Sequence, residues 1–437
     1  MRRSIPRVAV LLLALATCTA TPSEAREFAL RSGDRVVFLG DSITAGHFFT
    51  RDLEVFTRLR YPGLKLVFVN SGIGGETALD ALARLERDVF AWQPSVVMVN
   101  FGMNDGGFEP GDPQGAFERN MKTLLDALSG RPGVRLVVWL DTTPFDVEGT
   151  AADHLGRARE KRIRDFVAFA DEEGTRRGIP VVHWHERMTA ALEFYRKNGK
   201  PNKLIADHVH PGPAGHAFMT HELLKTLGAS VATAGVTGRY RKGRLELVIA
   251  GAGSRTIDWD GTSRVVVDLK GALPPVPLFR LFPDGEPVPE SVASLGRFRL
   301  KIQGLPEGEY RVSVMGNLLK TFDADDLAEG VDLLDGVGAE PSQKKGGKVD
   351  RKNYSSAEGL LWMDAWYRLF DACQANDRPR YSLRQDQMKL LPDYVPGYPE
   401  RFATLMTQWF EDANRELDAM DDGIAAEPRE IRIELVR

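Results

Sequence analysis

The chain has 437 residues, of which 43% are hydrophobic and 27% charged, and its formal net charge at pH 7 is −4. This composition is typical of a soluble globular protein, and the length predicts two or three domains. The positive charges form no basic stripe along the sequence, so nucleic acid is not expected as a partner.

Residues 1–25 have the pattern of an export signal. Three arginines accompany the apolar run Val8–Cys18, and Ser23–Ala25 has the small residues of a cleavage site. The apolar run is too short for a membrane span. We therefore expect a secreted or periplasmic protein. A lipid anchor at Cys18 is the less favoured alternative, because Thr17 is unusual before a lipidated cysteine.

From Arg35 to Leu227, apolar segments alternate with helical patterns. The segments are RVVFLG, LKLVFVNSG, PSVVMVNFG, VRLVVWLDT and IPVVHWH. Nearly continuous apolar runs are typical of parallel strands that are buried on both faces, and the sequences between them have the spacing of amphipathic helices. Residues 26–234 are therefore predicted to form a three-layer α/β/α sandwich around a parallel sheet.

After Ala234 the pattern changes to short alternating runs separated by turn dipeptides, which predicts an antiparallel β module over residues 235–325. Residues 326–428 are predicted to be a loop and a helical segment, with helices at about 356–375 and 399–421. The last run, Arg429–Arg437, alternates like a strand. A lone strand cannot satisfy its own backbone groups, so we hypothesise that it completes the β module.

Candidate catalytic residues follow the predicted strands, or precede the last helix of the α/β region. In open α/β sheets, ligands bind at the carboxyl ends of the strands. The residues delivered there are Ser42, Gly74, Gly75, Asn104, Asp207 and His210.

This set is what acyl transfer requires, because a serine hydroxyl needs a base to become nucleophilic. His210 can accept the proton of Ser42 through one ring nitrogen, while Asp207 holds the other N–H. The backbone N–H groups of Ser42 and Gly75 and the side-chain amide of Asn104 can bind the oxyanion that forms.

Four segments resemble blocks I, II, III and V of the SGNH, or GDSL-type, hydrolases, and they occur in the family's order. They are GDSIT at Gly40–Thr44, NSGIGGET at Asn70–Thr77, GMND at Gly102–Asp105 and DHVHP at Asp207–Pro211. The resemblance implies a flavodoxin-like sandwich and ester hydrolysis by a serine nucleophile, with no metal or organic cofactor. It places the block II glycine on Gly75, with Gly74 as the neighbouring alternative.

Structural explanations compete with some of these assignments. Ser42 could merely cap the helix that follows, and the alternating His183 and His185 could be metal ligands instead of structural residues. Phe48 and Phe49, which follow the serine closely, are candidates for an acyl or sugar contact.

The sequence favours an exported serine esterase that acts through an acyl-enzyme intermediate. Deacetylation of a polysaccharide is the first expectation for its substrate, and a small-molecule ester is the other. A lipid or aryl esterase and an acyltransferase are alternatives within the same chemistry. An inactive glycan-binding surface protein is the alternative from another class. The sequence does not specify the oligomeric state.

Overall fold

The computed structural model describes residues 27–107, 111–147, 154–199, 204–205, 207–276, 290–334, 343–344, 348–349, 365, 368–375, 398–426 and 429–436. The export-signal pattern, including Cys18, and most of the first predicted C-terminal helix lie outside these residues. No helix within the described ranges is long and apolar enough to cross a bilayer.

The first sheet has five strands, all parallel to their neighbours. The strands are β1 (Arg35–Gly40), β2 (Val67–Gly72), β3 (Val96–Asn100), β4 (Leu136–Leu140) and β5 (Val181–Val182). Their order is β2-β1-β3-β4-β5, which is the order of flavodoxin-like sheets. The predicted α/β fold class is thereby confirmed. Because the strand order reverses between β1 and β3, the loops after these two strands border the expected ligand crevice.

Helices cover both faces of this sheet. They are α1 (Ser42–Ala45), α2 (Phe48–Arg60), α3 (Ala78–Leu82), α4 (Leu85–Asp88), α5 (Pro113–Ser129), α6 (His154–Arg177), α7 (Trp184–Lys197) and α8 (Pro213–Thr226). Alternate residues of β1 point to opposite faces. Val36 and Phe38 join the core that contains α2 and α8, whereas Val37 and Leu39 join the core that contains α3 and α5. Burial on both faces explains why the strand is apolar throughout.

Within the described part of the chain, the remaining strands form two larger sheets and one short pair of strands. They are β6 (Ala234–Arg241), β7 (Arg244–Ile249), β8 (Gly253–Asp258), β9 (Val265–Asp268), β10 (Phe298–Gln303), β11 (Glu309–Val314), β12 (Asn317–Asp323), β13 (Val331–Asp332), β14 (Gln343–Lys344), β15 (Lys348–Val349) and β16 (Glu430–Leu435). The sheet orders are β13-β10-β6-β7-β8, β12-β11-β16-β9 and β14-β15. Pairing is antiparallel except between β6 and β10, which run parallel.

The strand at the end of the chain lies inside the second of these sheets. β16 is antiparallel to β11 on one side, where Ile433 is opposite Val312, and to β9 on the other, where Ile433 is opposite Val265. Ile431 and Ile433 are completely buried. The backbone groups of this strand are therefore paired with strands from the region that the hypothesis named. The boundaries of the proposed domains stay a prediction.

Three further helices are α9 (Glu290–Ala293), α10 (Ala324–Glu329) and α11 (Tyr398–Ala426), and residues 368–375 are also helical. α11 packs against α2 of the first half. Arg58 of α2 donates from Nη1 to Oδ2 of Asp421 at 2.9 Å. The guanidinium carbon of Arg51 lies 4.0 Å from the ring centroid of Phe370. The C-terminal helices thus cover the helix that follows the α1 turn.

Candidate active site

Ser42, His210 and Asp207 form a continuous hydrogen-bonded relay. The hydroxyl oxygen of Ser42 lies 2.9 Å from Nε2 of His210. The other ring nitrogen of His210, Nδ1, lies 2.8 Å from Oδ2 of Asp207. These distances are normal for strong hydrogen bonds. The structure therefore brings together three residues that the sequence analysis selected from two segments 168 positions apart.

The relay lies at the surface of the protein. The side chains of His210 and Asp207 are 47% and 58% exposed. Burial opposes the charged form of Asp207. Hydrogen bonds from the backbone N–H groups of His210 and Val209 and from the His210 ring outweigh this effect, so the pKa of the Asp207 carboxyl is below its usual value. An ionised Asp207 accepts the Nδ1–H proton of His210 and so leaves Nε2 available to act as a base.

In the turn after β1, the helix is not capped by the Ser42 hydroxyl. Asp41 is the N-cap of α1, and its side chain accepts the N–H of Ile43 at 2.9 Å. Ser42 is the first helical residue, so its hydroxyl is directed to His210 instead. The capping explanation for Ser42 is therefore wrong. Burial raises the pKa of Asp41 to about 7, and the nearby Asp105 contributes to this rise.

The end of β2 is fastened to the Ser42 segment by Asn70. Its amide Nδ2 donates to the carbonyl of Thr44 at 2.7 Å, and its Oδ1 accepts the N–H of Gly72 at 2.9 Å. A Cβ atom on Gly74 would lie 3.9 Å from Cβ of Ser42. Gly75 has a φ of +79°, a conformation that favours glycine. Both candidate glycines therefore lie in the loop that passes beside the serine.

Asn104 reaches the same loop from the end of β3. Its Nδ2 donates to the backbone carbonyl of Glu76, the residue after Gly75, at 2.9 Å. Asp105 fixes the loop that carries Asn104, because its carboxylate accepts the N–H groups of Ala78 and Gly102, both at 3.1 Å. Burial raises the pKa of Asp105 to about 6 although these hydrogen bonds oppose the rise.

The phenylalanines after the serine have different environments. Phe49 is fully buried, whereas Phe48 is 36% exposed and its ring is stacked on His216 at a centroid distance of 5.0 Å. Phe49 contacts Trp184 in the core. Of the two, Phe48 alone is exposed to solvent, and Phe49 is a packing residue.

The histidines proposed as alternative metal ligands face different partners. Nε2 of His185 is 3.0 Å from Glu160, and Nδ1 of His183 is 3.2 Å from Asp171. Within the described ranges, no group of three or more His, Cys, Asp or Glu side chains is arranged to hold a metal ion.

The sequence alone did not indicate that Arg84 and Glu76 lie next to the candidate site. Arg84 lies between two short helices in an ordinary amphipathic pattern, yet its side chain is only 4% exposed and donates from Nε to Oε2 of Glu76 at 2.6 Å. The pKa of Glu76 is raised, chiefly by burial, and Arg84 partly offsets this rise. The one available signal was the position of Glu76, directly after the block II glycine.

Comparison with known proteins adds two sequence relationships. Residues 38–218 match the model of the GDSL-like Lipase/Acylhydrolase family. An acetylxylan esterase from Geobacillus stearothermophilus is 27% identical over 220 residues, which are 45% of this chain and 95% of that protein.

Solved structures resemble this fold over different extents. A gut microbial diltiazem-metabolizing enzyme aligns with a TM-score of 0.61 and 20% sequence identity, over 93% of this chain and 98% of its own. At this identity the likeness concerns the fold alone, but it extends through the C-terminal half. The crystal structure of an acetylxylan esterase from Geobacillus stearothermophilus, with 27% identity, aligns over 46% of this chain and 96% of its own, with a TM-score of 0.37.

Proposed function

We propose that this protein removes acetyl groups from a polysaccharide such as xylan. The premise is its family: residues 38–218 belong to the GDSL-like lipase/acylhydrolases, and the chain is an ester-bond hydrolase of the SGNH type. The observation that carries the proposal is the relay from Ser42 through His210 to Asp207, with donor–acceptor distances of 2.9 and 2.8 Å. The 27% identity to an acetylxylan esterase supports the choice of acyl group and polymer.

Ser42 is the nucleophile in this proposal. Its oxygen attacks the acetyl carbonyl carbon while its proton passes to Nε2 of His210. Asp207 holds Nδ1–H and stabilises the imidazolium that forms. The tetrahedral intermediate collapses to an acetyl-serine, and His210 returns the proton to the departing sugar oxygen.

Water completes the cycle. His210 takes a proton from water, whose oxygen attacks the acetyl-serine, and acetate leaves as the proton returns to the Ser42 oxygen. In both halves the negative oxygen is held by the N–H groups of Ser42 and Gly75 and by Asn104 Nδ2. Gly75 is assigned because it directly precedes Glu76, to whose carbonyl Asn104 is bonded at 2.9 Å.

The exposure of the relay favours an ester that is carried on a polymer. Among the described residues, the side chains of His210 and Asp207 are 47% and 58% exposed, so a bulky chain can reach them from solvent. A long acyl chain would instead need a deep apolar channel to be removed from water.

Acetate release from acetylated xylan tests the proposal, with p-nitrophenyl esters of two to eight carbons measured in parallel. We expect acetate from the polymer and a preference for the two-carbon ester. Ser42→Ala protein and alkali-deacetylated xylan are the matched controls. Preference for the eight-carbon ester without acetate from xylan would instead identify a lipid or aryl esterase, and transfer of acetyl to an added sugar in place of hydrolysis would identify an acyltransferase.

We also propose that the protein is exported. The support is the basic and apolar pattern of residues 1–25. Expression of the full chain followed by cell fractionation and N-terminal sequencing tests it. A mature protein that begins at Arg26 in the secreted or periplasmic fraction is expected, and retention of the uncleaved chain in the cytoplasm would contradict export.

A further inference from the structure

Arg84 connects the end of β1, which precedes Ser42, to the end of β2 and the loop that follows it. Its Nε donates to Oε2 of Glu76 at 2.6 Å, its Nη1 to the carbonyl of Ser71 at 2.8 Å, and its Nη2 to the carbonyl of Gly40 at 3.3 Å. Asp88 provides a second carboxylate at 3.4 Å from Nη1. The guanidinium is buried, and the structure gives each of its three nitrogens an acceptor.

These acceptors are adjacent to the donors proposed for the oxyanion. Gly40 precedes Ser42 by two residues, and Glu76 follows Gly75 directly. The carbonyl of Glu76 also accepts the Nδ2 proton of Asn104 at 2.9 Å. The Arg84 side chain therefore links the backbone of the Ser42 segment to the loop that carries Gly75. The same loop accepts the hydrogen bond from Asn104.

Only arginine can make this set of contacts. Its planar guanidinium presents five donors in a fixed fork, whereas a lysine presents one compact ammonium. Oxyanion donors stabilise the transition state in proportion to how well they are placed beforehand. A displacement of about 1 Å that originates away from the reacting atoms can slow catalysis by about 100-fold.

We propose that Arg84 is a positioning residue for the oxyanion hole, which sets the spacing between the Ser42 and Gly75 amides and the Asn104 side chain. Arg84 does not touch the substrate in this role. It acts through Glu76, whose side chain it holds and whose carbonyl orients Asn104. The inference rests on the proposed function for the assignment of these three donors, and it does not depend on whether the natural ester is xylan-bound.

The test measures kcat and KM on p-nitrophenyl acetate for Arg84→Lys and Glu76→Gln. We expect kcat to fall by about 10- to 100-fold for Arg84→Lys while KM changes by less than about threefold. Glu76→Gln, which keeps the backbone carbonyl and a neutral acceptor, should show a smaller loss of the same kind. Arg131→Lys is the matched control, because Arg131 forms an exposed ion pair with Glu86 and should retain full activity.

A double-mutant cycle with Asn104→Ala separates positioning from general loss of structure. If Arg84 acts through the oxyanion hole, Arg84→Lys should cost only about threefold or less in a protein that already lacks the Asn104 amide. Losses that multiply fully in the double variant, or a rise in KM without a fall in kcat, would overturn the positioning role. Should Arg84→Lys fail to fold, the same cycle with Glu76→Gln decides the question.

The same measurements distinguish a wrong inference from a wrong site. If Asn104→Ala keeps normal kcat, the oxyanion assignment in the proposed function fails, and the role of Arg84 fails with it. If Asn104→Ala is slow but Arg84→Lys and Glu76→Gln match the wild type, the proposed site stands and only the role of Arg84 is refuted.

Discussion

Replacing Arg58 by methionine should destabilise the protein strongly, because this arginine joins α2 to α11 through a buried charge cluster. Its guanidinium lies 2.9 Å from Glu54, 2.9 Å from Asp421 and 3.1 Å from Asp418. The Arg58 and Asp421 side chains are each 2% exposed, and that of Glu54 is 7% exposed. Methionine has a similar length but removes the positive charge that pairs with both buried carboxylates.

The expected loss at pH 8 is about 3–5 kcal/mol in the free energy of unfolding, the usual effect of removing one partner from a buried ion pair. The loss should be smaller at pH 5. Burial already raises the pKa of Asp421 to about 7 although Arg58 opposes this rise. At pH 5, below this pKa, the carboxyl is neutral with or without Arg58, so losing the cation costs less there than at pH 8, where the wild-type carboxylate is ionised. A folded-state pKa above the unfolded value means that stability falls as pH rises.

Urea unfolding followed by tryptophan fluorescence at pH 5 and pH 8 measures both effects. Arg131→Met is the control, since its exposed pair with Glu86 should contribute about 0–1 kcal/mol. Adding Glu54→Gln and Asp421→Asn to Arg58→Met should restore part of the loss, because neutral amides replace the two carboxyls that Arg58 contacts. A loss below about 1 kcal/mol at pH 8, or an equal loss at both pH values, would refute the reasoning.

Three further predictions concern the site and its surroundings. Ser42→Ala should lower kcat on p-nitrophenyl acetate by about four to six orders of magnitude with an unchanged circular dichroism spectrum, and near-normal turnover would reject it as nucleophile. Asn104→Ala should lower kcat by about 100- to 1,000-fold with little change in KM; a steep rise in KM at constant kcat would make it a substrate-binding residue instead. Burial raises the pKa of Asp41 from 3.8 to about 7, so its ionisation should remove up to about 4 kcal/mol of folding stability as pH rises through this interval. Asp41→Asn, which keeps an oxygen for the N–H of Ile43, should flatten the urea-unfolding stability between pH 5 and pH 8, and an unchanged slope would count against the raised pKa.

The first sheet and the relay were predictable because their signals are local. Each central strand is a nearly continuous apolar run, and only burial on both faces gives that pattern. Ser42 and Asn104 follow such runs directly, and the topology of parallel sheets places the ends of neighbouring strands at one edge. His210 and Asp207 are three residues apart, so one short loop supplies both partners of the serine.

Charged residues of α2 illustrate what the sequence could not show. Arg51, Asp52, Glu54, Arg58 and Arg60 would normally occupy a solvated helix face, but all five are buried. Their burial depends on residues that are distant in the sequence. Arg58 and Asp421 are 363 positions apart, and local periodicity contains no information about such a pairing. Arg84 and Glu76 are only eight residues apart, but they lie on either side of α3, so helical spacing does not relate them.

The β region was only partly predictable. Alternating runs and turn dipeptides identify strands and hairpins, and these are local features. They do not say which strand pairs with which across a long connection. The parallel pairing of β6 with β10 and the division into two larger sheets depend on such connections.

The C-terminal half packs against the helix that follows the candidate site. α2 begins six residues after Ser42, and its polar side chains are covered by residues that come from beyond position 229. The Arg60 guanidinium donates from Nη1 to the carbonyl of Ser230 at 2.7 Å and from Nε to that of Pro274 at 3.1 Å. Arg58 bonds to α11, and Arg51 lies against Phe370. Removing the later chain would expose these charged groups of α2, whereas the packing of α2 against α8 and β2 would remain. The helix that follows the Ser42 segment is therefore held on one side by the core that it shares with the central sheet and α8, and on the other by residues of the second half of the chain.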